Sequence, residues 1–301
     1  MVIYTIFSCG DLVRVDMLVL STDFHGQSRN SEVIRNTLKR IADAGFSHVH
    51  WCHEFHSSYV YSVYEMLQIK KWCDEFGLLV MGVHASAGES KSDLKSYISF
   101  NEYNRLAGVD LIQNRIETAR ILETDMIVLH LEFPWELSAN KKEFDSRMAP
   151  IYKSLDALEP YCKTRRIKIC IENGDGSPEQ CLPVYDALFN RYDENFLGLC
   201  FDTGHANIYC KKNSLEYAER YNNRLFLIHG DDNHGETDEH AIPYEGTFNW
   251  AGFAPVLARS PYKFPLLLEL ACRQDGDDAG WLKTAFETGN RFSAMAESYR
   301  G

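Results

Sequence analysis

Positive charge is scarce in this chain. It carries 31 Lys and Arg against 43 Asp and Glu over 301 residues, a net charge of −12. A broad electrostatic hold on a nucleic-acid backbone needs clustered Lys and Arg, so nucleic acid is a disfavoured partner. No apolar run approaches the roughly 18–20 residues that cross a bilayer. Residues 1–10 lack a basic segment followed by a long apolar one, so neither a membrane span nor a signal peptide is expected. None of the nine cysteines forms a C-x-x-C pair. Buried reduced thiols, such as Cys170 and Cys200 inside strands, and a cytoplasmic location are the expectation. A G-x-G-x-x-G turn after the first strand, a P-loop and a G-x-S-x-G elbow are missing too. Nothing therefore points to a dinucleotide fold, a nucleoside triphosphatase or a serine hydrolase.

What is present is apolar residue enough, 45%, for a large core that needs no disulfide. Short continuous apolar runs occupy 16–22, 48–52, 78–83, 125–129, 167–171, 197–201, 224–228 and 264–268. Between them lie helical patterns over 31–43, 59–76, 110–122, 144–164, 178–192 and 214–221, one beginning at Asn249 and Trp250, and a last over 278–297. Ser31 reads as an N-cap, and Gly45 and Gly77 as helix closers. Strands written as unbroken apolar runs are buried on both faces, the mark of parallel sheet. Strand-then-helix alternation eight times over predicts an α/β fold, a single (β/α)8 TIM barrel domain spanning 1–301. A doubly wound open sheet is the alternative, and the missing glycine-rich turn disfavours it.

In such a barrel the chemistry sits at the C-terminal ends of the strands. Those positions hold His84, His130, Glu172, Asp202 with His205 just beyond, His229 and Glu269. The loop after strand seven adds Asp238 and His240. It is the densest stretch of the chain, with three histidines and six carboxylates between Leu227 and Trp250. A solvated acidic loop is the plainer reading, but Gly230, Gly235, Pro243 and Gly246 suggest a shaped one. Each strand-end residue has a plainer reading as well. Asp202 alone can cap a turn, and His84 or His130 alone can be a hydrogen-bonded core histidine. Six ligand types at six strand ends are another matter, because converging charges need a counter-charge. A divalent metal ion supplies it. Histidine mixed with carboxylate suits Mn, Zn, Co or Fe(II) better than a thiolate centre does, and Mg stays open. Phe24, Trp51 and Trp250 are candidate apolar walls of the pocket, or ordinary core.

Five segments carry a resemblance: Ile171-Glu-Asn173, Phe201-Asp-Thr-Gly-His-Ala-Asn207, Ile228-His-Gly-Asp-Asp-Asn233, Asp238-Glu-His-Ala-Ile-Pro-Tyr-Glu-Gly246 and Leu268-Glu269. They resemble the xylose isomerase-like TIM barrels, in particular the sugar phosphate isomerase/epimerase branch. The resemblance covers strands three to eight well and the first fifty residues poorly. It implies one metal bound by Glu172, Asp202, His229 and Glu269, with Glu172 and Glu269 also moving the proton and His205 facing the substrate. Epimerases of this kind usually carry an arginine shortly after the strand-seven histidine, and here acidic residues and glycine stand in its place. The related endonuclease IV type binds three zinc ions, and its extra ligands match His84, His130, His205, Asp238 and His240.

The expected activity is metal-dependent isomerisation or epimerisation of a sugar, sugar phosphate or polyol, by proton transfer next to a carbonyl through an enediolate. The expected partner is a small sugar-like molecule, with homo-oligomerisation left open. The alternatives are a trinuclear zinc phosphodiesterase acting on DNA, a related dehydratase, and a barrel that binds sugar without turnover.

Overall fold

The computed structural model describes residues 17–53, 58–85, 96–131, 140–174, 176–263, 265–272 and 278–300. Strands and helices alternate through these residues: β1 Leu18–Ser21, α1 Ser31–Asp43, β2 His48–Trp51, α2 Val63–Phe76, β3 Leu79–Ala85, α3 Glu102–Ile121, β4 Met126–His130 and α4 Lys141–Arg165. The series continues with β5 Lys168–Glu172, α5 Pro178–Arg191, β6 Leu197–Asp202, α6 Thr203–Tyr209, α7 Glu216–Arg220, β7 Leu225–His229, α8 Trp250–Arg259, β8 Leu266–Leu268 and α9 Asp278–Glu297. The eight strands form one parallel sheet in the order β7-β6-β5-β4-β3-β2-β1-β8. The ring closes just past the named strands. Gly230 N–H donates to the Leu267 carbonyl (3.0 Å) and Glu269 N–H to the Gly230 carbonyl (3.3 Å). This is the expected TIM barrel. Closure at that level sets the ends of β7 and β8 side by side.

The strand interiors are as buried as their apolar runs predict: β1 is fully buried, and Ile127, Val128, Leu129, Ile169, Cys170 and Ile171 are all 0% exposed. The eight cysteines among the described residues are free thiols, seven of them buried. Cys9, residues 16 and 264, and the first part of the stretch before α3 lie outside the described residues. No described helix is long and apolar enough to cross a membrane.

Boundaries differ where polar side chains act as caps. Asn30, not Ser31, caps α1 by accepting from Glu32 N–H (2.9 Å). Helix α2 begins later than its periodicity suggests, because Ser62 and Glu65 form a reciprocal capping box. Helix α3 begins earlier, at Glu102, where Asn101 accepts from the first free amides. Its first turns are packed as well: Arg105 is buried and donates to Ser154 Oγ (3.0 Å).

One close approach matters for the site. A Cβ on Gly108 of α3 would stand 2.3 Å from Tyr97 N, a contact no real side chain makes. That glycine lets the chain at 96–97 lie directly on the helix. Tyr97 then donates its hydroxyl to the His130 carbonyl (2.9 Å) and braces the end of β4. Helix propensity alone would make Gly108→Ala stabilising by about 1 kcal/mol. Overpacking reverses the sign, and we expect a loss of about 1–3 kcal/mol in urea unfolding. A gain in stability would show that the backbone contact is not made.

Candidate active site

Glu172, Asp202 and His229 are the last residues of β5, β6 and β7, and Glu269 directly follows β8. Asp202 and His229 are 0% exposed, Glu172 1% and Glu269 9%. All four offer ligand-type atoms within 4.8 Å of one another. His229 Nδ1 lies 2.8 Å from Glu269 Oε2, 3.2 Å from Glu172 Oε2 and 3.8 Å from Asp202 Oδ2. Three carboxylates this close repel unless a cation stands among them. Both oxygens of Glu172, Oδ2 of Asp202 and both ring nitrogens of His229 are buried without a hydrogen bond. Buried polar atoms are rarely left so. Hard oxygen donors mixed with imidazole are the donor set of a divalent cation, and these residues fit one.

Local sequence explains how the set is held. Asp202 caps α6 with one oxygen, Oδ1 accepting from His205 N–H (2.6 Å), and keeps Oδ2 for the cluster. The cap reading of Asp202 is realised by one oxygen, and the other is left without a hydrogen bond beside the cluster. Asn173 clamps the end of β6: Asp202 N–H donates to its Oδ1 and its Nδ2 donates to the Asp202 carbonyl, both 2.8 Å. Thr203 and Asn207 reach across to the loop after β7. Thr203 Oγ1 donates to the Asp231 carbonyl (2.6 Å), and Asn207 Nδ2 donates to the Asn233 carbonyl (3.0 Å).

Two further clusters abut the first. His84 and His130 present their Nε2 atoms to each other at 3.1 Å, and His130 Nε2 is 2.9 Å from Glu172 Oε2. On the other side Asp231, Asp238 and His240 form a group able to hold a metal. Asp238 Oδ2 is 3.0 Å from His240 Nε2 and 3.5 Å from His205 Nε2. The Nδ1–H of His240 donates to the Glu269 carbonyl (3.1 Å), which turns Nε2 toward Asp238. His240 has a left-handed backbone, φ 48°, a strained state that the surrounding contacts must impose. His205 links the clusters, with Nδ1 3.3 Å from Glu172 Oε1.

The electrostatics follow from crowding. Burial raises Glu172 and Glu269, but His130 and His229 beside the first and His229 beside the second outweigh it and hold both low. Burial, with Glu172 and Glu269 nearby, pushes Asp202 up to about 7 despite His205. Burial lowers His240, but the bond to Asp238 and the charge of Glu269 carry it up to about 11. A cavity of about 230 Å³ opens above the cluster.

A family model of the xylose isomerase-like TIM barrel matches residues 38–290. The chain belongs to that family. An uncharacterized protein of Sinorhizobium fredii is 31% identical to it over 253 residues, 79% of this chain and 81% of that protein. An uncharacterized protein of Methanocaldococcus jannaschii is 30% identical over 164 residues, 50% of this chain and 53% of that one. Among solved structures, a D-tagatose 3-epimerase-like protein superposes with a TM-score of 0.69 at 22% identity, over 92% of this chain and 98% of its own. A D-psicose 3-epimerase solved in the presence of D-fructose gives 0.67 at 16% identity, over 95% and 100%. At these identities the two structures establish a shared fold.

In this xylose isomerase-like barrel, seven of the residues singled out from the sequence line the cavity: His84, His130, Glu172, His205, Asp238, His240 and Glu269. Asp202 and His229 lie beneath its floor, fully buried. The three aromatics lie elsewhere. Phe24 stacks on Trp281 of α9 (centroids 5.6 Å apart), Trp51 donates Nε1–H to the Tyr61 hydroxyl (2.9 Å), and Trp250 donates Nε1–H to Asp232 (2.8 Å). None of the three lines the cavity; all are core.

Sequence reading passed over three polar residues. Asp23, after β1, lines the cavity, and burial with Glu269 nearby pushes its carboxyl up to about 6. Its position after a strand was the available signal. Asp231 is 0% exposed with neither oxygen hydrogen-bonded, and its near neighbours in sequence masked it. His50 on β2 is likewise buried without a bond, its ring 5.1 Å from that of His229. Only the inward face of the strand reveals it.

Proposed function

We propose that this chain is a metal-dependent isomerase or epimerase of a sugar-like substrate, acting by proton transfer next to a carbonyl. What carries this reading is the convergence of Glu172, Asp202, His229 and Glu269 on one buried point beneath a small polar cavity. The cavity is smaller than the roughly 300–1,000 Å³ usual for drug-sized ligands, which suits a monosaccharide. The solved epimerases of the same fold support the reading by analogy. The small molecule is taken from the cytoplasm, in keeping with the free thiols.

These four side chains would hold a divalent metal, which would supply Lewis-acid chemistry and a positive counter-charge at the floor of the cavity. The chain's own residues do the rest. Glu172 and Glu269 each turn one oxygen, Oε2, toward His229 and hold the other, Oε1, apart from it. One of the pair removes the α-proton and the other returns a proton to the opposite face or the adjacent carbon. Asn173 keeps Asp202 in register, and His205, wedged between Glu172 and Asp238, faces the bound substrate.

A second reading has its own observation. The clusters His84–His130–Glu172 and Asp231–Asp238–His240 flank the four-residue set, an arrangement with room in residue types for three metal ions and phosphodiester cleavage. The net charge of −12 opposes a DNA substrate. Elemental analysis of protein purified without chelator separates the two. We expect about one tightly held ion per chain and solvent-deuterium incorporation into a ketose. Three tightly held zinc ions, with cleavage of DNA containing an abasic site, would transfer the assignment to the phosphodiesterase.

A further inference from the structure

The cavity contains one carboxylate that the mechanism leaves without a task. Asp23, Glu172, Asp238 and Glu269 are the carboxylates that line it. The last three each belong to a cluster able to hold a metal, and Asp23 belongs to none. Among the described residues no other residue donates a hydrogen bond to its side chain. Its place is nonetheless well defined. Gly26 N–H donates to the Asp23 carbonyl (2.5 Å) across a turn in which Gly26 has φ +80°. The next carbonyl, that of Phe24, accepts from Cys272 N–H (2.7 Å), and the Phe24 ring is stacked on Trp281.

Topology places Asp23 across the mouth from Glu172. Strands β1 and β5 are separated by β2, β3 and β4 in one direction round the ring and by β8, β7 and β6 in the other. A ligand that spans the cavity from Glu172 therefore reaches the wall that carries Asp23. An ionised carboxylate only accepts hydrogen bonds. A partly buried one needs donors from whatever fills the cavity, because an unpaired charge there is costly. Hydroxyl and ammonium groups donate; phosphate and carboxylate groups present like charge and are turned away.

We propose that Asp23 is a substrate-binding residue that accepts a hydrogen bond from a substrate hydroxyl on the side of the cavity facing Glu172, and that it selects uncharged polyhydroxy compounds over their phosphate esters. The polyhydroxy class rests on the isomerase reading above; the role of Asp23 rests on its position in the cavity. An asparagine there keeps the shape but adds donors, so it weakens the hydroxyl contact and relaxes the discrimination together.

The test is equilibrium binding to the metal-loaded, full-length protein, with the free D-ketohexoses and D-fructose 6-phosphate as probes. The wild type is expected to bind at least one free ketohexose, and to bind the phosphate ester at least tenfold more weakly than D-fructose. Asp23→Asn is expected to weaken the bound sugar about tenfold to a hundredfold, the span for loss of a charge-assisted hydrogen bond, and to narrow the gap between sugar and ester. Its metal content is expected to match wild type. Equal or tighter binding of the ester by the wild type overturns the proposal, and that comparison needs no variant to fold. So does failure of the wild type to bind any free ketohexose, or unchanged sugar affinity in both Asp23→Asn and Asp23→Ala. Deuterium incorporation from solvent is scored separately. Sugar binding that depends on Asp23 without any incorporation supports the role of Asp23 and sinks the isomerase reading alone.

Discussion

Replacing Glu172 or Glu269 by glutamine is expected to slow exchange of the substrate's α-proton by at least about 10²–10⁴-fold, the usual contribution of a general acid–base group. Each carboxylate sits in a two-sided position. Glu172 Oε2 is 3.2 Å and Glu269 Oε2 2.8 Å from His229 Nδ1, while the opposite oxygens contact His205 and Cys52 respectively. A glutamine preserves that shape and removes the proton acceptor. It is also a poorer ligand, so the comparison belongs at saturating metal. His84→Asn serves as the control. His84 Nε2 is 3.7 Å from Glu172 Oε2 and 13% exposed, so its replacement is expected to cost no more than about 10–100-fold, as for an outer partner that orients a ligand, and less than either glutamine variant. The two-glutamate mechanism fails if both glutamine variants bind metal normally and exchange the α-proton at the wild-type rate.

Asp232→Ala is expected to destabilise the protein by several kcal/mol, at about 1–3 kcal/mol for each buried donor left without an acceptor. Asp232 is 0% exposed and, among the described residues, belongs to no group able to hold a metal. Its two oxygens accept from Asn233 N–H (2.9 Å), Tyr244 N–H (2.9 Å), Phe248 N–H (3.0 Å) and Trp250 Nε1–H (2.8 Å). Its backbone pairs with Ala241 in both directions at 2.9 Å. One side chain thus gathers the loop that carries Asp238 and His240 and pins it to the start of α8. Alanine leaves buried donors with no acceptor. Urea unfolding measures the loss; a change below about 1 kcal/mol would mean that the loop is ordered by something else. The same variant is expected to perturb the contacts of His240, since its strained backbone depends on the loop.

The sequence was a good guide to this loop as a stretch and a poor one to its members. Three histidines and six carboxylates marked it. Nothing local separated Asp238 and His240, which face the cavity, from Asp232, which is structural, or from His234, which pairs with Glu239 at the surface. All are acidic residues or histidines in one loop, and their roles depend on which way the chain turns at Gly235 and His240. The aromatics suffered from the same ambiguity. Phe24 and Trp51 lie at or just past strand ends and Trp250 opens α8, yet their rings turn into the core, against Trp281, Tyr61 and Phe292.

The barrel and the residues at its mouth were determined by the sequence alone. An unbroken apolar run can be buried only between two covered faces, and eight of them separated by helices close into a ring. The residue that ends each run must then emerge at one rim. Helix α6 and the early start of α3 escaped, because caps such as Asp202 and Asn101 act through side-chain geometry and not through periodicity. Only the tertiary structure decided which rim residues meet. His130 and His229 are 99 residues apart in the chain, and both reach Glu172 Oε2. That meeting depends on the parallel register of β4 through β7, which brings their last residues to one level of the ring. Closure of the ring through Gly230 and Leu267 sets Asp23 on the opposite wall, outside every group able to hold a metal among the described residues, a placement no spacing in the chain encodes.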